Sequence, residues 1–417
     1  MSGERIQAPR GTFDVLPDEA AARAAVADSA RRVLEAAGYR HIETPAFEAT
    51  ELFARGVGEA TDIVRKEMYT FDDGGGRSVT LRPEGTAPVC RAYVEHGMHK
   101  LAQPVRLWYL SPFFRRERAQ AGRFRQFWQI GAEALGSDDP AVDAEMILIL
   151  ADLLDAVAVR GLRLRLSSLG SPQTRAAYRE ALRDHLRAHE ERLPRDLRER
   201  IDLNPLRAFD AADPATQEVL AGAPRLLDRL TAEDAEHFAT VRELLDRAGL
   251  SYDVDPTLVR GLDYYTRTVF EFESRRLGAQ SGVAGGGRYD GLVEQLGGPP
   301  TPGCGWAAGV ERILLAAEGR PVPVPTVDLY VAYAKPELRS AAFRLAADAR
   351  RAGHAVRLEL GGRSLKGQLR QADRSGARFV AIVGAAEAAL RDMESGDQRV
   401  VAAGAIPAEV LRGRALR

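Results

Sequence analysis

Apolar residues recur with a helical period over Asp18–Ala37. Val26, Ala30, Val33, Leu34 and Ala37 fall on one stripe that Gly38 terminates. In Pro104–Gly136 the period changes to two. The first half alternates Val105, Leu107 and Tyr109 against Arg106, Trp108 and Leu110. The second half sets Trp128, Ile130 and Ala132 on an apolar face and Gln129, Gly131 and Glu133 on the other. This predicts two strands joined by a loop much longer than a two-residue hairpin turn. A short strand broken by Pro45 follows the first helix, and Asp72–Gly76 reads as a hairpin turn. SDDPAVDAEMILILADLLDAVAV predicts a capped helix and LRLRLSSLG a strand. Ser171 to about Asp246 reads as a charged helical insert. Phe270 and Phe272 share one face of a strand, and Gly305–Glu318 predicts a strand end turning into a helix. The Pro-rich run Arg320–Asp328 marks a domain boundary. Beyond it, strand, helix, strand, helix and strand alternate from Val327 to Gly384, which predicts a βαβ sheet. The pattern is weaker after Gly384.

Several of these segments carry chemistry. From Arg115 to Arg125 the loop holds five arginines and one glutamate, with Gly122 as a pivot. It fits an anion-binding loop or a solvated hairpin tip. Gln129 and Glu133 flank Gly131 on the polar face, which leaves space for a small ligand, and Arg115 closes the first strand beside them. Glu84 and Thr86 flank Gly85 at a strand end. A carboxylate and a hydroxyl so placed can receive an ammonium group; equally, Thr86 can serve as a helix N-cap. Arg260 and Gly261 precede Asp263, Tyr264 and Tyr265, and an Arg-Gly pair there argues for a ligand-facing loop over plain core aromatics. Four glycines in Gly282–Gly287 permit close backbone packing without the spacing of a dinucleotide fingerprint. Arg312, taken alone, is a helix-surface charge. His185, His189 and His237 lie among charges in the insert and are expected to be solvent-exposed rather than metal ligands.

Composition adds boundaries to this picture. A chain of 417 residues exceeds one typical core, so two or three domains are expected. A hydrophobic content of 45% is that of an ordinary globular protein. No apolar run reaches the length of a membrane span, and the polar N-terminus lacks the core of a signal peptide. Cys90 and Cys304 are too few for a disulfide framework and form no CxxC pair. A cytoplasmic enzyme without structural zinc fits these constraints. The net charge is −1, but Val327–Arg417 carries 16 Lys+Arg against 10 Asp+Glu, a net +6, which leaves −7 on the remainder. A basic module on an acidic body suggests a local polyanion contact. Only Lys66, Lys100, Lys335 and Lys366 are lysines, so abundant arginine alone is not a nucleic-acid signal here.

The hairpin with its basic loop resembles motif 2 of the class II aminoacyl-tRNA synthetases, most specifically of the histidyl-tRNA synthetases. LVRGLDYYTRTVFEF (Leu258–Phe272) and AGGGRYDGL (Ala284–Leu292) resemble the same family closely. Gly305–Glu318 is similar to class II motif 3, and Pro45 matches the proline of motif 1, which packs across the dimer interface. The resemblance covers nearly the whole chain and is weakest in the insert and at the end. It implies an α+β catalytic domain over 1–325, built on the class II antiparallel sheet flanked by helices, with a helical insertion at about 171–250 near the tRNA acceptor arm. It further implies a C-terminal α/β anticodon-binding domain over 326–417.

The implied activity is histidine–tRNA ligation: L-histidine and ATP form histidyl-adenylate and pyrophosphate, and histidine passes to the 3' end of tRNA(His). By the resemblance Arg115, Arg260 and Arg312 are catalytic. Arg115 meets the α-phosphate, Arg312 the γ-phosphate, and Arg260 bridges substrate carboxylate and α-phosphate. Glu84 and Thr86 hold the α-amino group of histidine, and Gln129 reaches its main-chain groups. Glu133 and Tyr265 read the imidazole, with Tyr264 and Arg260 in the same pocket. Glu117 joins Arg115 and Arg312 at ATP. Arg116, Arg118, Gln120 and Arg123 form the loop that meets the tRNA acceptor end. Magnesium accompanies the ATP phosphates, no side chain is assigned to a metal, and the expected assembly is a homodimer. Ala119 and Trp128 depart from the usual family pattern of proline, and of histidine or tyrosine.

The non-catalytic regulatory subunit of ATP phosphoribosyltransferase is the nearest alternative. It shares the catalytic fold but lacks the anticodon module and degrades the second segment, which is intact here. A synthetase for another amino acid of the subclass would satisfy motifs 2 and 3, but not Leu258–Phe272 and Glu133. A class I synthetase is excluded by the absence of HIGH-like and KMSKS-like signatures, and a pure RNA-binding protein would not need Glu84 and Glu133. Arg260→Ala is expected to abolish adenylate formation and leave the fold intact; histidine-dependent pyrophosphate exchange together with circular dichroism checks it.

Overall fold

The long alternating hairpin forms the middle of an eight-stranded sheet. A computed structural model describes residues 5–58, 61–117, 122–211, 213–258, 262–278, 281–318, 327–385 and 387–415, without the side chains of 207, 210 and 412–415. In chain order the strands are β1 (Arg40–His41), β2 (Phe47–Ala49), β3 (Tyr69–Asp72), β4 (Ser78–Leu81), β5 (Val105–Phe114) and β6 (Gln126–Leu135). They continue with β7 (Leu162–Ser168), β8 (Asp253–Val254), β9 (Thr266–Ser274), β10 (Gly282–Arg288) and β11 (Gly303–Gly309). The large sheet has the order β1-β5-β6-β11-β10-β9-β7-β8. It is antiparallel from β5 to β7, with a parallel strand at each edge. The hairpin register runs from Val105 opposite Leu135 to Phe114 opposite Gln126. A separate three-stranded sheet, β2-β4-β3, stands beside it.

The period-two pattern divides the large sheet into two faces. Trp108, Ile130, Ala132, Phe270, Phe272 and Trp306 pack against the helices Pro17–Ala36, Pro140–Ala156, Ala232–Arg247 and Val310–Ala316. Full burial of each large apolar side chain contributes about 1.5–3 kcal/mol, so this face is a main source of stability. The first helix begins at Pro17, with Asp18 and Glu19 in its first turn, and buries Val26, Ala30 and Leu34 as its stripe predicts. Asp139 caps the helix Pro140–Ala156 by accepting from Ala141 N–H. The opposite face carries Leu107, Tyr109, Phe113 and Val269. These pack against the helix Thr86–Glu95 and against Tyr178 and Leu182 of the insert.

The insert is helical, as its composition predicts, but His237 corrects the expectation of exposure. It is buried on the helix Ala232–Arg247, with Nε2 2.8 Å from Asp143 Oδ2. Asp143 and Arg288 are both fully buried, with Arg288 Nε donating to Asp143 Oδ1 at 3.0 Å. Arg288 also donates to Ser137 O and Asp139 O. Burial opposes the Asp143 charge, but Arg288 and His237 outweigh it and hold the carboxyl below its ordinary range. His185 and His189 are partly buried and bonded to the carbonyls of Val219 and His185.

The chain divides into two compact units, Met1–Pro321 and Val322–Arg417. Most of the Pro-rich run falls outside the described residues. The second unit holds β12 (Leu329–Tyr333), β13 (Val356–Leu358), β14 (Phe379–Val383), β15 (Glu387–Asp392) and β16 (Gln398–Ala402), in the order β13-β12-β14-β15-β16. The first three are parallel, as the βαβ reading predicts. The segment after Gly384 adds an antiparallel pair and the helix Ile406–Ala415. Its weak pattern has a reason: four of the five residues of β16 are exposed, so it needs little apolar contrast.

Asp143→Ala removes the fully buried partner of Arg288 and leaves its charge to the partly buried Asp290. It should cost about 3–5 kcal/mol, read as a lower midpoint in urea denaturation followed by tryptophan fluorescence.

Candidate functional site

A cavity of about 740 Å³ opens where the hairpin, the tyrosine segment, the glycine strand and the start of the helix Val310–Ala316 converge. Its lining includes Glu84, Thr86, Arg115, Glu117, Arg123, Gln129, Tyr264, Tyr265 and Arg312. Residues distant in sequence are thus brought together because β5, β6, β11, β10 and β9 are neighbours in one sheet. Arg260, Arg118 and Gln120 lie outside the described residues. Arg116 is exposed, and its N–H donates to Glu67 O at 2.7 Å.

One end of the cavity is a cage of buried acceptors. Glu84 accepts from Thr86 N–H at 2.8 Å and Ala87 N–H at 2.9 Å. It, rather than Thr86, satisfies the orphan donors at the start of the helix Thr86–Glu95. Thr86 has no capping bond; its hydroxyl donates to Glu133 Oε1 at 2.8 Å. Burial raises the Glu84 carboxyl above its ordinary range, against the pull of those amides and of Arg115. Tyr264 Oη reaches Glu84 at 3.4 Å, and the Tyr264 and Tyr265 rings lie 4.8 Å apart. Gln129 Oε1 is buried without a hydrogen-bond partner among the described residues.

Glu133 stands behind the cavity wall. It is fully buried and does not line the cavity. Tyr289 Oη donates to Oε2 at 2.7 Å, and Tyr109 Oη approaches Oε1 at 3.5 Å. The space predicted over Gly131 is filled by protein: a Cβ at Gly131 or Gly85 would stand 2.2 or 2.4 Å from Tyr109 Cζ. In this arrangement Glu133 meets the cavity through Thr86 and Tyr109. Tyr109 lines the cavity and lies over the glycines, and Glu133 holds hydroxyls from beneath.

The other end is cationic. Arg115 Nε donates to Pro83 O at 2.9 Å, and its guanidinium lies 5.3 Å from the Phe127 ring centroid. Glu117 sits between Arg115 at 3.6 Å and Arg123 at 3.2 Å. Arg312 is no surface charge. Its Nε donates to Gly122 O at 3.1 Å and its Nη1 to Gly282 O, bridging the loop and the glycine strand. Burial and then Arg123 lower its pKa from the ordinary value. Glu311, next to it, accepts from Trp128 N–H and from Arg23 Nη2 at 2.9 Å. This locks the motif 3-like helix to the hairpin and to the first helix.

Sequence reading passed over Tyr109, Phe127, Tyr289 and Glu271. Phe127 and Tyr109 carried a usable signal: Phe127 lies two residues before Gln129, hence on the same strand face, and Tyr109 pairs with Gly131. Tyr289 had none, because its partner Glu133 is 156 residues away.

Burial lifts the Glu133 carboxyl to about 8; the hydroxyls of Tyr289 and Thr86 oppose this and Glu84 reinforces it. Between the ordinary carboxyl range and about 8, the folded chain holds a proton that the unfolded chain has lost. Stability from this group is therefore complete at low pH and declines as pH rises toward 8. Urea midpoints from pH 5 to 8, on the order of this window, should fall more steeply in the wild type than in Glu133→Gln.

With this geometry in place, the relatives can be set beside it. Residues 11–313 match the family model described as histidyl-tRNA synthetase, and residues 328–412 match the anticodon binding domain. A histidine–tRNA ligase of Halorhodospira halophila is 51% identical over 411 residues, which is 96% of either chain. One of Thermosynechococcus vestitus is 48% identical over 99% of this chain and 97% of its own. The crystal structure of apo Staphylococcus aureus histidyl-tRNA synthetase superposes with a TM-score of 0.82 at 34% identity, over 97% of this chain and 100% of that one. The match over residues 328–412 also answers the regulatory-subunit alternative, which lacks an anticodon module. The chain belongs to the histidyl-tRNA synthetase family.

Proposed function

We infer that this chain, a histidine–tRNA ligase by family, activates L-histidine in the 740 Å³ cavity and then charges tRNA(His). The observation that carries this is the pairing, in one cavity, of buried acceptors with guanidinium groups from separate segments. Glu84, the lone pairs of Thr86 and the orphaned Gln129 Oε1 suit an ammonium and its neighbouring groups. Glu133 and Tyr265 are assigned to the imidazole, with Tyr264 in the same pocket and Tyr109 beside it in the lining. Glu133 orients Thr86, Tyr109 and Tyr289 from below. A pocket that hydrogen-bonds the ring rejects analogues lacking those groups by about 10^4–10^5.

Activation joins a histidine carboxylate oxygen to the α-phosphorus of ATP and breaks the bond to the β-phosphate, so pyrophosphate leaves. The charge that builds on phosphate oxygens calls for preorganised cations. Arg115 and Arg312 are assigned to the α- and γ-phosphates, and Arg260 to the bridge between carboxylate and α-phosphate. Phe127 offers a ring beside Arg115, and Glu117 fixes the arginines. Magnesium would come with the ATP phosphates and neutralise their charge, Glu271 being an oxygen donor in the cavity lining. Among the described residues no group of three or more His, Cys, Asp or Glu could hold a metal ion.

In the second step a 3'-terminal tRNA hydroxyl attacks the activated carbonyl and AMP leaves. Arg116, Arg118, Gln120 and Arg123 are assigned to the acceptor end. The catalytic domain is assigned to 1–325, with its insertion at about 171–250, and the anticodon-binding domain to 326–417. A homodimer is supported by Phe47 and Phe71, half-exposed and 6.2 Å apart on the small sheet near Pro45. Among the described residues no helix is long and apolar enough to cross a membrane, and the assigned compartment is the cytoplasm.

The deciding measurement is amino-acid-dependent pyrophosphate exchange into ATP, run with each standard amino acid. Exchange with histidine alone is expected. Exchange with another amino acid would overturn the pocket assignment, and no exchange from folded protein would overturn the activity.

A further inference from the structure

The helical insert reaches the histidine pocket from behind. Tyr264 and Tyr265 line the cavity, yet the segment that presents them belongs to no strand or helix. Its backbone is held by neighbours. Asp263 N–H donates to Val57 O at 3.2 Å. Further ties come from the insert. Asn204 Nδ2 donates to Asp263 Oδ1 at 3.3 Å. Arg175, on the insert's first helix Pro172–Ala188, donates through Nη1 to Asp263 O at 2.9 Å and also to Tyr265 O. Arg179, one helical turn further on, donates to Leu203 O at 2.8 Å and so steadies the turn that bears Asn204.

The two carbonyls that Arg175 gathers lie on either side of Tyr264. The first belongs to the peptide before Tyr264 and the second to the peptide after Tyr265, so turning both toward one donor fixes the two ends of the Tyr264–Tyr265 pair, and with them the direction in which the tyrosine side chains leave the backbone. A planar guanidinium is suited to this, because its donors are fixed relative to one another. The insert thus reaches this segment through the carbonyls of Asp263 and Tyr265 and through the Asp263 side chain.

We propose that Arg175 is a positioning residue for histidine recognition, holding Tyr264 and Tyr265 in place through the carbonyls of Asp263 and Tyr265. The insert is then part of the amino-acid site as well as a neighbour of tRNA. This rests on the reading that the cavity binds histidine. Arg175 contacts neither substrate. It also lines an open groove of about 340 Å³ with Arg179, Arg183 and Asp202, so a small guanidinium can enter from solvent when the side chain is removed.

The test uses the full chain and pyrophosphate exchange, with histidine varied at saturating ATP and ATP varied at saturating histidine. In Arg175→Ala the KM for histidine should rise by about tenfold to a hundredfold, and the KM for ATP should stay within about twofold. Ethylguanidinium in the assay should bring the histidine KM back toward the wild-type value. Should the alanine variant not fold, Arg175→Lys is read by the same split, because an ammonium retains charge but not the planar fork. An unchanged histidine KM, an equal rise for both substrates, or a histidine defect that ethylguanidinium does not reverse overturns the proposal. Wild-type protein that fails to exchange with histidine would instead overturn the functional reading beneath it.

Discussion

Glu133 is a carboxyl group buried under the floor of the cavity, and much of the surrounding chain exists to satisfy it. An unpaired carboxyl there would cost several kcal/mol, in the range of about 2–7 for a polar group left without partners. Three hydroxyls from distant segments meet it: Thr86 at the start of a helix, Tyr289 after the glycine strand and Tyr109 on β5. Backbone must come equally close. A Cβ at Gly305 would stand 1.7 Å from Glu133 Oε2. The glycines of β6 and β11 are therefore read best as room for protein side chains, and only secondarily as room for ligand.

That constraint organises the cavity above it. Tyr109 packs over Gly131 and Gly85, and Gln129, Glu84 and the Tyr264–Tyr265 pair line the cavity beside it. The cationic end is assembled independently. Arg312 ties the basic loop to β10 through two carbonyls, while Glu311 ties the same helix to Trp128 and Arg23. Two adjacent residues of opposite charge, both lining the cavity, thus tie it to different neighbours. Catalysis by positioning needs such ties, since guanidinium groups act on phosphate only when their own backbone is fixed.

Local pattern carried most of the fold. The helical stripe of the first helix, the period-two alternation of the hairpin and the βαβ order of the second unit all appear where the pattern puts them. Those signals survive because one face of each element is buried and the other is not. Reading failed where burial did not follow local charge. His237 sits among acidic and basic neighbours in sequence, yet it faces Asp143 across the core. The hairpin β15–β16 was missed because its outer strand is mostly exposed.

The candidate site divides the same way. Residue type and spacing by themselves determined which segments bear the chemistry: the arginine loop, Glu84 with Thr86, Gln129 and the tyrosine pair. Strand alternation is a property of nearest neighbours along the chain, so it can be read without knowing what lies opposite. Only the tertiary structure decided what each side chain does with its lone pairs and protons. It gave Glu133 the hydroxyls of Thr86 and Tyr289 and placed Arg175 behind the tyrosines. Each of those outcomes depends on a partner at least one strand or one domain insertion away. A hydrogen bond reaches only about 3 Å, and sequence order says nothing about which distant groups the fold will bring within that reach.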